Sequence, residues 1–202
     1  MNTKTRIHSL INFSLRNLLA LGLFSFAGTS LATGFPSTLD TFEDAGISSV
    51  NTSRLIITDA DIGGSSKAEA VYKKGIVRID GSIAPARGQP GFVSLVLLLS
   101  PEGKPQDLSG YTGIEIRMRL LKGNLSILAA SSEIENFDYH ATPVTRSGDF
   151  RVIRVPFKSL KRMWSKPASL NLETITSINI VASGMQPGDF LYEIDSIGFY
   201  ED

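Results

Sequence analysis

Short runs of alternating apolar and polar residues, separated by turn residues, fill the chain from Pro36 onward. In the run "GIEIRMRLL" at residues 113–121, apolar side chains take every second position and charged side chains lie between them. This period of two is typical of a strand with one buried face. The run "GFVSLVLLLS" at residues 91–100 is almost wholly apolar and predicts a strand buried on both faces. About ten such runs, without a long amphipathic segment, predict an all-β fold, a two-sheet jelly-roll sandwich.

Local signals between the runs predict how the strands are connected. The sequence "KKG" at residues 73–75 separates two alternating runs and predicts a hairpin turn. Pro143 cannot donate a backbone hydrogen bond, so its run is predicted to lie at a sheet edge or a bulge. We expect helical turns only in "SLKRMW" at residues 159–164 and "LETIT" at residues 172–176.

The N-terminal residues have the composition of a targeting signal. They carry three basic residues, no acidic residue and the uncharged run "LLALGLFSFAG" at residues 18–28, which is too short to span a bilayer. Small residues up to Ala32 complete the pattern of a secretory signal peptide over residues 1–32. We expect a short linker over residues 33–40 and a single domain over residues 41–202. A mitochondrial presequence is the alternative, because it would also be basic and rich in serine.

Composition limits what the mature chain can do. Removal of the leader leaves 17 basic and 20 acidic residues, a net charge of −3, without basic blocks. Such a chain has no electrostatic footprint for nucleic acid. The chain has no cysteine, which excludes disulfides, thiol nucleophiles, thiolate metal sites and lipid attachment through cysteine. We therefore expect a periplasmic or secreted protein that does not insert into a membrane once the signal peptide is removed.

The stretch "DADIGGSSK" at residues 59–67 has glycines, serines and a lysine side by side, as a phosphate-binding loop does. A Walker-type loop needs Gly-Lys-Ser/Thr in that order at the start of a helix. Here the lysine follows the serines, and the next residues alternate like a strand. We therefore expect Gly63 and Gly64 to supply backbone angles for a loop that enters a strand.

Groups for acid–base or nucleophilic catalysis are few. His140 is the only histidine once the leader is removed, and no "GxSxG" motif presents a serine nucleophile. The acidic cluster of Glu133, Glu135 and Asp138 has the residue type for glycoside cleavage, which needs two carboxylates held across a cleft. A solvated loop between strands is the simpler interpretation. We expect no catalytic residues, no enzyme activity and no cofactor.

Two aromatic residues are the candidates for ligand binding. Tyr139 follows the acidic cluster, and Trp164, the only tryptophan, lies among basic residues. Aromatic side chains of this kind stack on sugars, nucleotides or protein partners. The alternative for Trp164 is that it caps the core of the sandwich.

Acidic residues near the two ends of the mature chain are the candidates for a metal site. Glu43 lies beside Asp44, and Asp195 lies close to Glu193. The terminal strands of a jelly roll commonly lie near each other, and carboxylate oxygens suit Ca²⁺. A structural Ca²⁺ between Glu43 and Asp195 is therefore a hypothesis, and its alternative is that these acids point outward from alternating strands.

The chain resembles the complex I intermediate-associated protein 30 family over nearly all of the expected domain. The resemblance is carried by "TFED" at residues 41–44, "GGSS" at 63–66, "DLSGYTGIEIRMR" at 107–119, "VIRVPFKSL" at 152–160, and the closing runs "SINIVAS" and "FLYEIDSIGFY". It implies a galactose-binding-like jelly roll, similar to many carbohydrate-binding modules, and a role in respiratory complex I assembly without a catalytic centre. Phe150 departs from the family, which often has tryptophan there, and the predicted leader departs from a matrix or cytoplasmic location.

These observations lead to three functional hypotheses. The first is a non-enzymatic β-sandwich that binds a protein partner or helps an envelope complex to assemble. The second is a carbohydrate-binding module that holds a glycan against Tyr139, Trp164 or other aromatic side chains. The third is an enzyme that uses the segment from Glu133 to His140.

Overall fold

The computed structural model describes residues 34–202. These residues form eleven strands, which are arranged in two antiparallel sheets. The predicted signal peptide over residues 1–32 lies outside these residues. The strands are β1 (Thr38–Asp40), β2 (Arg54–Thr58), β3 (Lys67–Lys73), β4 (Ile76–Ile83), β5 (Gly91–Leu98), β6 (Gly113–Lys122), β7 (Leu125–Ser131), β8 (His140–Val144), β9 (Ser147–Pro156), β10 (Ile175–Gly184) and β11 (Gly188–Tyr200). Short 3-10 turns span Asp59–Ile62, Phe157–Ser159 and Leu172–Thr174.

The strand order defines a sandwich of six and five strands. The six-stranded sheet runs β3-β4-β11-β6-β9, with β1 beside the C-terminal part of β11. The five-stranded sheet runs β2-β5-β10-β7-β8. The inward side chains of both sheets form one apolar core. The expected all-β jelly-roll sandwich is confirmed.

Period-two alternation decides which side chains enter that core. In β6, Ile114, Ile116 and Met118 are fully buried, while the charged residues between them point outward. Each such side chain contributes about 1.5–3 kcal/mol of transfer free energy. In β5 the burial extends to both faces, as expected for an almost wholly apolar run.

The turn and edge predictions are confirmed by the backbone. Lys74 and Gly75 connect β3 to β4 with φ angles of 53° and 69°, which is the pattern of a type I′ hairpin turn. Pro143 lies in β8, the last strand of the five-stranded sheet. The expected helical turn in residues 172–176 is present as the 3-10 turn Leu172–Thr174.

The helical turn expected over residues 159–164 is wrong. The 3-10 turn Phe157–Ser159 ends before it, and Lys161 forms backbone hydrogen bonds in both directions with Ala141 in β8, at 2.9 and 3.0 Å. Because these bonds extend the sheet, the backbone at Lys161 is not available for a helix. Tertiary pairing overrides the local helical tendency here.

The sandwich begins within the segment that the sequence suggested as a linker. Leu39 and Asp40 in β1 are fully buried, and β1 pairs with β11. The Asp40 carboxylate accepts hydrogen bonds from Arg54 Nε at 2.6 Å and Arg54 Nη2 at 2.9 Å. This buried ion pair ties β1 to β2, so the boundary at Thr41 needs correction to include Thr38–Asp40.

The glycines of the "GGSS" stretch close a loop around a buried carboxylate. Asp59 accepts hydrogen bonds from Ser66 N at 3.0 Å, Ser66 Oγ at 2.6 Å and Phe92 N at 3.3 Å. Gly63 has a φ of 82°, and a Cβ on Gly64 would overlap the Asp59 carboxyl group. The loop therefore binds its own aspartate, and the structural interpretation of the two glycines holds.

Candidate binding surface

A buried carboxylate, Asp138, joins two loops that carry exposed aromatic residues. Its Oδ1 accepts a hydrogen bond from Met163 N at 2.8 Å, and its Oδ2 accepts from Trp164 N at 3.2 Å and Ser165 N at 2.6 Å. Burial alone would raise the pKa of Asp138, but these hydrogen bonds outweigh burial and lower the pKa. The charged carboxylate therefore fixes the Trp164 loop against the loop that precedes β8.

Four side chains on these loops form what we call the aromatic patch: Phe137, Tyr139, Met163 and Trp164. Phe137, Met163 and Trp164 are 74, 73 and 68% exposed, more than any other large apolar side chain among residues 34–202. The Phe137 and Tyr139 rings meet edge to face with their centroids 6.4 Å apart. Phe137 has a φ of 58°, in the left-handed region that non-glycine residues rarely adopt. The chain thus accepts local strain where it exposes this ring.

The structure brings together the two aromatic residues that the sequence singled out. Tyr139 and Trp164 are 25 positions apart in sequence, and Asp138 is the immediate neighbour of one and a hydrogen-bond partner of the other. Trp164 is too exposed to cap the core, so that alternative is wrong. Burial raises the pKa of Tyr139, so its phenol is neutral at pH 7 and can donate a hydrogen bond.

Basic side chains lie close in sequence to Met163 and Trp164. Lys158, Lys161 and Lys166 are exposed, and none of them forms an ion pair within the described residues. Arg162 is held inward by Asp138 and Asn136. The patch is therefore an apolar centre with three unpaired lysines near it in sequence on one loop and the exposed Glu135 on the other loop.

The outward face of the five-stranded sheet, which we call the neutral face, borders the aromatic patch at β8. Its members alternate with core residues along each strand and carry no charge. On the inner strands β5, β10 and β7 they are Phe92, Ser94, Val96, Leu98, Ser177, Asn179, Val181, Ser183, Ser126, Leu128 and Ala130. Central members of this face are nearly buried, while Leu55 and Ile57 at its β2 edge are well exposed. The middle of the neutral face is therefore recessed.

Two polar side chains in this recess lack hydrogen-bond partners. Ser94 and Asn179 are each more than nine-tenths buried, yet Ser94 Oγ and Asn179 Oδ1 bond to nothing in the described chain. In the register of β10 and β5, Asn179 lies opposite Val96, and Val181 lies opposite Ser94. The side chains of Ser94 and Asn179 are therefore diagonal neighbours on adjacent strands. A buried polar group without a hydrogen-bond partner lowers the stability of the folded protein by about 1–3 kcal/mol. A bound hydroxyl or amide group would supply the missing hydrogen bond.

The outward face of the six-stranded sheet, which we call the charged face, has the opposite character. Glu193 accepts from Arg119 Nε at 2.8 Å and lies 3.5 Å from Arg78 Nη1. Arg117 pairs with Asp195 at 2.7 Å, and the same guanidinium stacks over Phe150. The charges on the central strands of this face pair with one another, so these strands need no partner to neutralise them.

The acidic residues proposed for Ca²⁺ have other neighbours. Asp195 and Glu193 bind the arginines of the charged face, and the Asp44 carboxylate accepts from the N–H groups of Gly46 and Ile47. Glu43 lies beside Gly75 in the β3–β4 turn. No group of three or more acidic or histidine side chains suited to a metal occurs in residues 34–202. The outward-pointing alternative describes Asp195 well, and a Ca²⁺ ion bound by Glu43 and Asp195 stays a prediction.

The residues considered for catalysis have structural contacts. His140 points into the core, where its Nε2 lies 2.8 Å from the Ala168 carbonyl oxygen. Glu133 accepts a hydrogen bond from Asn171 Nδ2 at 2.7 Å, and Asp138 holds the Trp164 loop. Glu135 alone of the acidic cluster is exposed without such a contact. Two of the three carboxylates of this cluster are therefore engaged by contacts within the chain.

Two cavities lie away from the aromatic patch. One, of about 310 Å³, opens at the β10–β11 connection beside Met185 and Pro187. The other, of about 540 Å³, is a groove on the charged face where Lys122 and Asp189 form an ion pair at 2.6 Å. Both are open surface depressions, so we favour the patch and the recess, where exposed aromatic and unpartnered polar groups lie.

Sequence reasoning missed several members of this surface. Phe137 and Met163 were not singled out, although each is adjacent to a residue that was. Ser94 lies inside an apolar run, and Asn179 interrupts "SINIVAS" between isoleucines. A polar residue within a run predicted to be buried on both faces could have indicated them. Such a residue either forms hydrogen bonds within the protein or needs a hydrogen-bond partner from outside it.

A galactose-binding-like jelly-roll β-sandwich is the class of domain that this fold defines. The sandwich has the galactose-binding-like jelly-roll fold, and its candidate surface offers exposed aromatic and unpartnered polar groups. The chain belongs to the complex I intermediate-associated protein 30 family, whose model matches residues 43–194. The resemblance seen in the sequence is thereby confirmed. No individual curated protein matches the chain in sequence.

Solved structures with a similar fold include carbohydrate-binding modules. The family 11 module of the cellulosomal cellulase Lic26A-Cel5E of Clostridium thermocellum is 18% identical, with a TM-score of 0.58 over 82% of this chain and 94% of that chain. A family 11 module from Clostridium thermocellum, in complex with a β-1,3-1,4-mixed-linked tetrasaccharide, is 19% identical, with a TM-score of 0.57 over 82% and 95%. A structure described as CBM4 is 9% identical, with a TM-score of 0.52 over 83% and 100%. At these identities the likeness establishes the fold.

One further property concerns membranes. Among residues 34–202, no helix is long and apolar enough to cross a bilayer.

Proposed function

We propose that this protein is a non-catalytic binding protein of the cell envelope that engages an acidic segment of a protein partner through the aromatic patch. The observation that carries the proposal is the joint exposure of Phe137, Met163 and Trp164 on loops that Asp138 holds in place. Tryptophan, methionine and phenylalanine are enriched in protein interfaces, and tryptophan is frequent among hot spots. Family membership supports a role in association with an assembly, as the family name describes.

The fixed geometry of the patch favours tight binding. A mobile loop would lose conformational entropy on association, whereas the Trp164 loop is already ordered by three backbone hydrogen bonds to Asp138. The unpaired lysines around the patch would attract an acidic partner and raise its association rate. A partner segment with apolar anchors and flanking acidic residues fits this surface.

Quantitative capture from envelope extracts tests the proposal. The full chain is immobilised, and the proteins retained are compared with those retained by Trp164→Ala and by Met163→Ser. Met185→Ser is the matched control, because Met185 is 61% exposed and lies outside the patch. We expect one defined partner to be lost from both patch variants, by at least tenfold, and kept by the control. A partner retained equally by all four proteins would exclude the patch as its site.

A second candidate function is glycan binding in the recess of the neutral face. The specific observation is the pair of unpartnered atoms, Ser94 Oγ and Asn179 Oδ1, on a face without charge. Sugar hydroxyls can satisfy both atoms, while their C–H faces pack on the neighbouring aliphatic side chains. A panel of neutral glycans is titrated by isothermal calorimetry, which needs no reporter residue near the recess, and Ser94→Ala should bind less tightly than the wild type. No saturable response across the panel would reject this candidate.

Two subsidiary proposals follow from the chain ends. N-terminal sequencing of an exported fraction should find a mature chain without residues 1–32, and a chain retained in mitochondria would contradict the envelope location. For the calcium hypothesis, Ca²⁺ should raise the melting temperature of the wild type and leave that of Glu43→Gln unchanged. Equal melting of the wild type in Ca²⁺ and in chelator would reject the site.

A further inference from the structure

The five-stranded sheet ends at β2, whose far side is open within residues 34–202. β2 pairs with β5 on one side, and on the other side Ile47 covers only Ser53, the residue before the strand. Within the described residues, no other strand or loop forms backbone hydrogen bonds to residues 55–57 on that side. An edge with free N–H and C=O groups is a template on which another strand can pair.

Exposed apolar side chains concentrate along this edge. Leu55, Ile56 and Ile57 are three consecutive residues of β2 with exposures of 41, 38 and 46%. Ile47 and Ile62 are also exposed and lie just before and just after the strand. Leu55 and Ile57 belong to the neutral face, whereas Ile56 points toward the core side, so the edge is apolar on both of its faces.

The other sheet edges in residues 34–202 are protected, and β2 is not. β3 carries Lys67, Glu69 and Lys73, and β9 carries several charged residues. β8 contains Pro143 and is paired at Ala141 with Lys161. Such charges, prolines and covers are the usual protection against edge pairing. The single charged residue of β2, Arg54, is buried against Asp40, so its charge does not hinder another strand from pairing with this edge.

We propose that β2 pairs with β2 of a second copy of this chain, antiparallel and centred on Ile56. In that register Ile56 lies opposite its own counterpart, Leu55 lies opposite Ile57, and Arg54 lies opposite Thr58. Apolar pairs of this kind stabilise adjacent strands, and no like charges face each other. The strand is therefore complementary to itself under a two-fold axis, the commonest symmetry of protein dimers.

Pairing through β2 joins the two five-stranded sheets into one sheet of ten strands. The two neutral faces then form one continuous surface, and the two aromatic patches lie at its opposite ends, because β8 is the far strand of each sheet. The dimer is a property beyond the proposed binding function, and it holds or fails independently of it. A bivalent partner or an extended ligand would bind such a dimer with avidity.

Sedimentation equilibrium of the purified full chain tests the pairing. We expect a concentration-dependent monomer–dimer equilibrium that Ile56→Lys weakens at least tenfold, because it places two lysines opposite each other. Leu55→Lys should weaken it similarly, and its outward side chain makes folding of this variant secure. Val71→Lys on β3 is the matched control, since Val71 is 44% exposed on an edge strand of the other sheet, and it should dimerise like the wild type.

Amide hydrogen exchange distinguishes strand pairing from any other contact. On raising the concentration, protection should increase at the outward-facing amides of residues 55–58 and stay constant in β3 and β9. A wild type that stays monomeric at every concentration overturns the proposal. So does a dimer that both lysine variants of β2 leave unchanged, or protection that appears at β3 or β9 instead.

Discussion

The charged face and the neutral face are built by the same alternation of residues, yet they present opposite chemistry. On the charged face, arginines and carboxylates of neighbouring strands pair within the chain, as Arg119 does with Glu193 at 2.7 Å. On the neutral face, Ser94 and Asn179 are buried without partners. The buried or central polar groups of the charged face thus have partners within the isolated protein, whereas Ser94 and Asn179 on the neutral face do not. A partner that satisfies Ser94 and Asn179 would lower the free energy of the neutral face, whereas the ion pairs of the charged face already contribute in the isolated protein.

The largest expected effect is at Asp138, which holds the aromatic patch beside the neutral face. Asp138→Ala leaves the N–H groups of Met163, Trp164 and Ser165 without their acceptor, so we expect a loss of about 2–4 kcal/mol in the free energy of unfolding. Urea denaturation measures this loss. Asp195→Ala on the charged face is the control, with an expected loss of about 0–1 kcal/mol because its partner Arg117 is solvated. Equal losses at both positions would contradict the distinction.

Acid should release the aromatic patch only at low pH, because hydrogen bonds from three backbone N–H groups hold the Asp138 carboxylate in its charged form. The pKa of Asp138 is lowered from its usual value of 3.8, so its contribution to stability is complete above that value. It is lost as the pH falls below 3.8 and through the lowered pKa of the folded state. Because Trp164 is the only tryptophan, its emission should be constant above this range and change within it. Asp138→Asn should lack the transition, and a transition that persists in this variant would assign it to another group.

Two buried serines should respond in opposite ways to the loss of a hydroxyl. Ser66 Oγ donates to Asp59 at 2.6 Å and accepts from Ala84 N at 2.9 Å, so Ser66→Ala should cost about 1–3 kcal/mol. Ser94 Oγ is unpartnered, so Ser94→Ala should cost nothing or stabilise by up to about 1 kcal/mol. Thermal melting of the two variants measures the contrast. A clear loss of stability in Ser94→Ala would mean that the Ser94 hydroxyl already has a hydrogen-bond partner, which would contradict the account of the recess.

The smallest effect is expected within the charged face. A double-mutant cycle with Arg117→Ala and Asp195→Ala should give a coupling free energy of about 0.2–1 kcal/mol, since both side chains are partly exposed. Neither single variant should reduce capture of a partner by the aromatic patch. Coupling well above this range would show that the charged face is a main source of stability. Loss of capture would show that it takes part in binding.

Much of the fold was predictable because strand periodicity, turn residues and edge prolines are local signals. β5, β6, the Lys74–Gly75 turn and the edge position of Pro143 all followed from short stretches of sequence. The first strand was missed because Asp40 is held by Arg54, 14 positions later, and no periodicity reveals an ion pair. The helical turn at residues 159–164 was wrong because pairing with Ala141 and capture of backbone N–H groups by Asp138 outweigh local propensity.

The candidate surface was predictable only in part. Tyr139 was singled out because it lies beside the acidic cluster, and Trp164 because it is the only tryptophan and lies among basic residues. Their proximity, however, depends on Asp138, which the sequence placed in the acidic cluster. The recess could not be inferred, because a strand buried on both faces looks the same whether a second layer or a shallow groove covers its outer side. Tertiary structure decides between these, since it determines which polar groups find partners.

Site-specific photo-crosslinking compares the two faces in one experiment. A photoreactive phenylalanine analogue replaces Trp164 in one protein and Val152, which is 56% exposed on the charged face, in another. Both proteins are irradiated in the same envelope extract, and the crosslinked partners are identified by mass spectrometry. The account predicts a defined crosslinked partner from position 164 and none from position 152. Crosslinking of the same partner from position 152 alone, or equally from both positions, would contradict it.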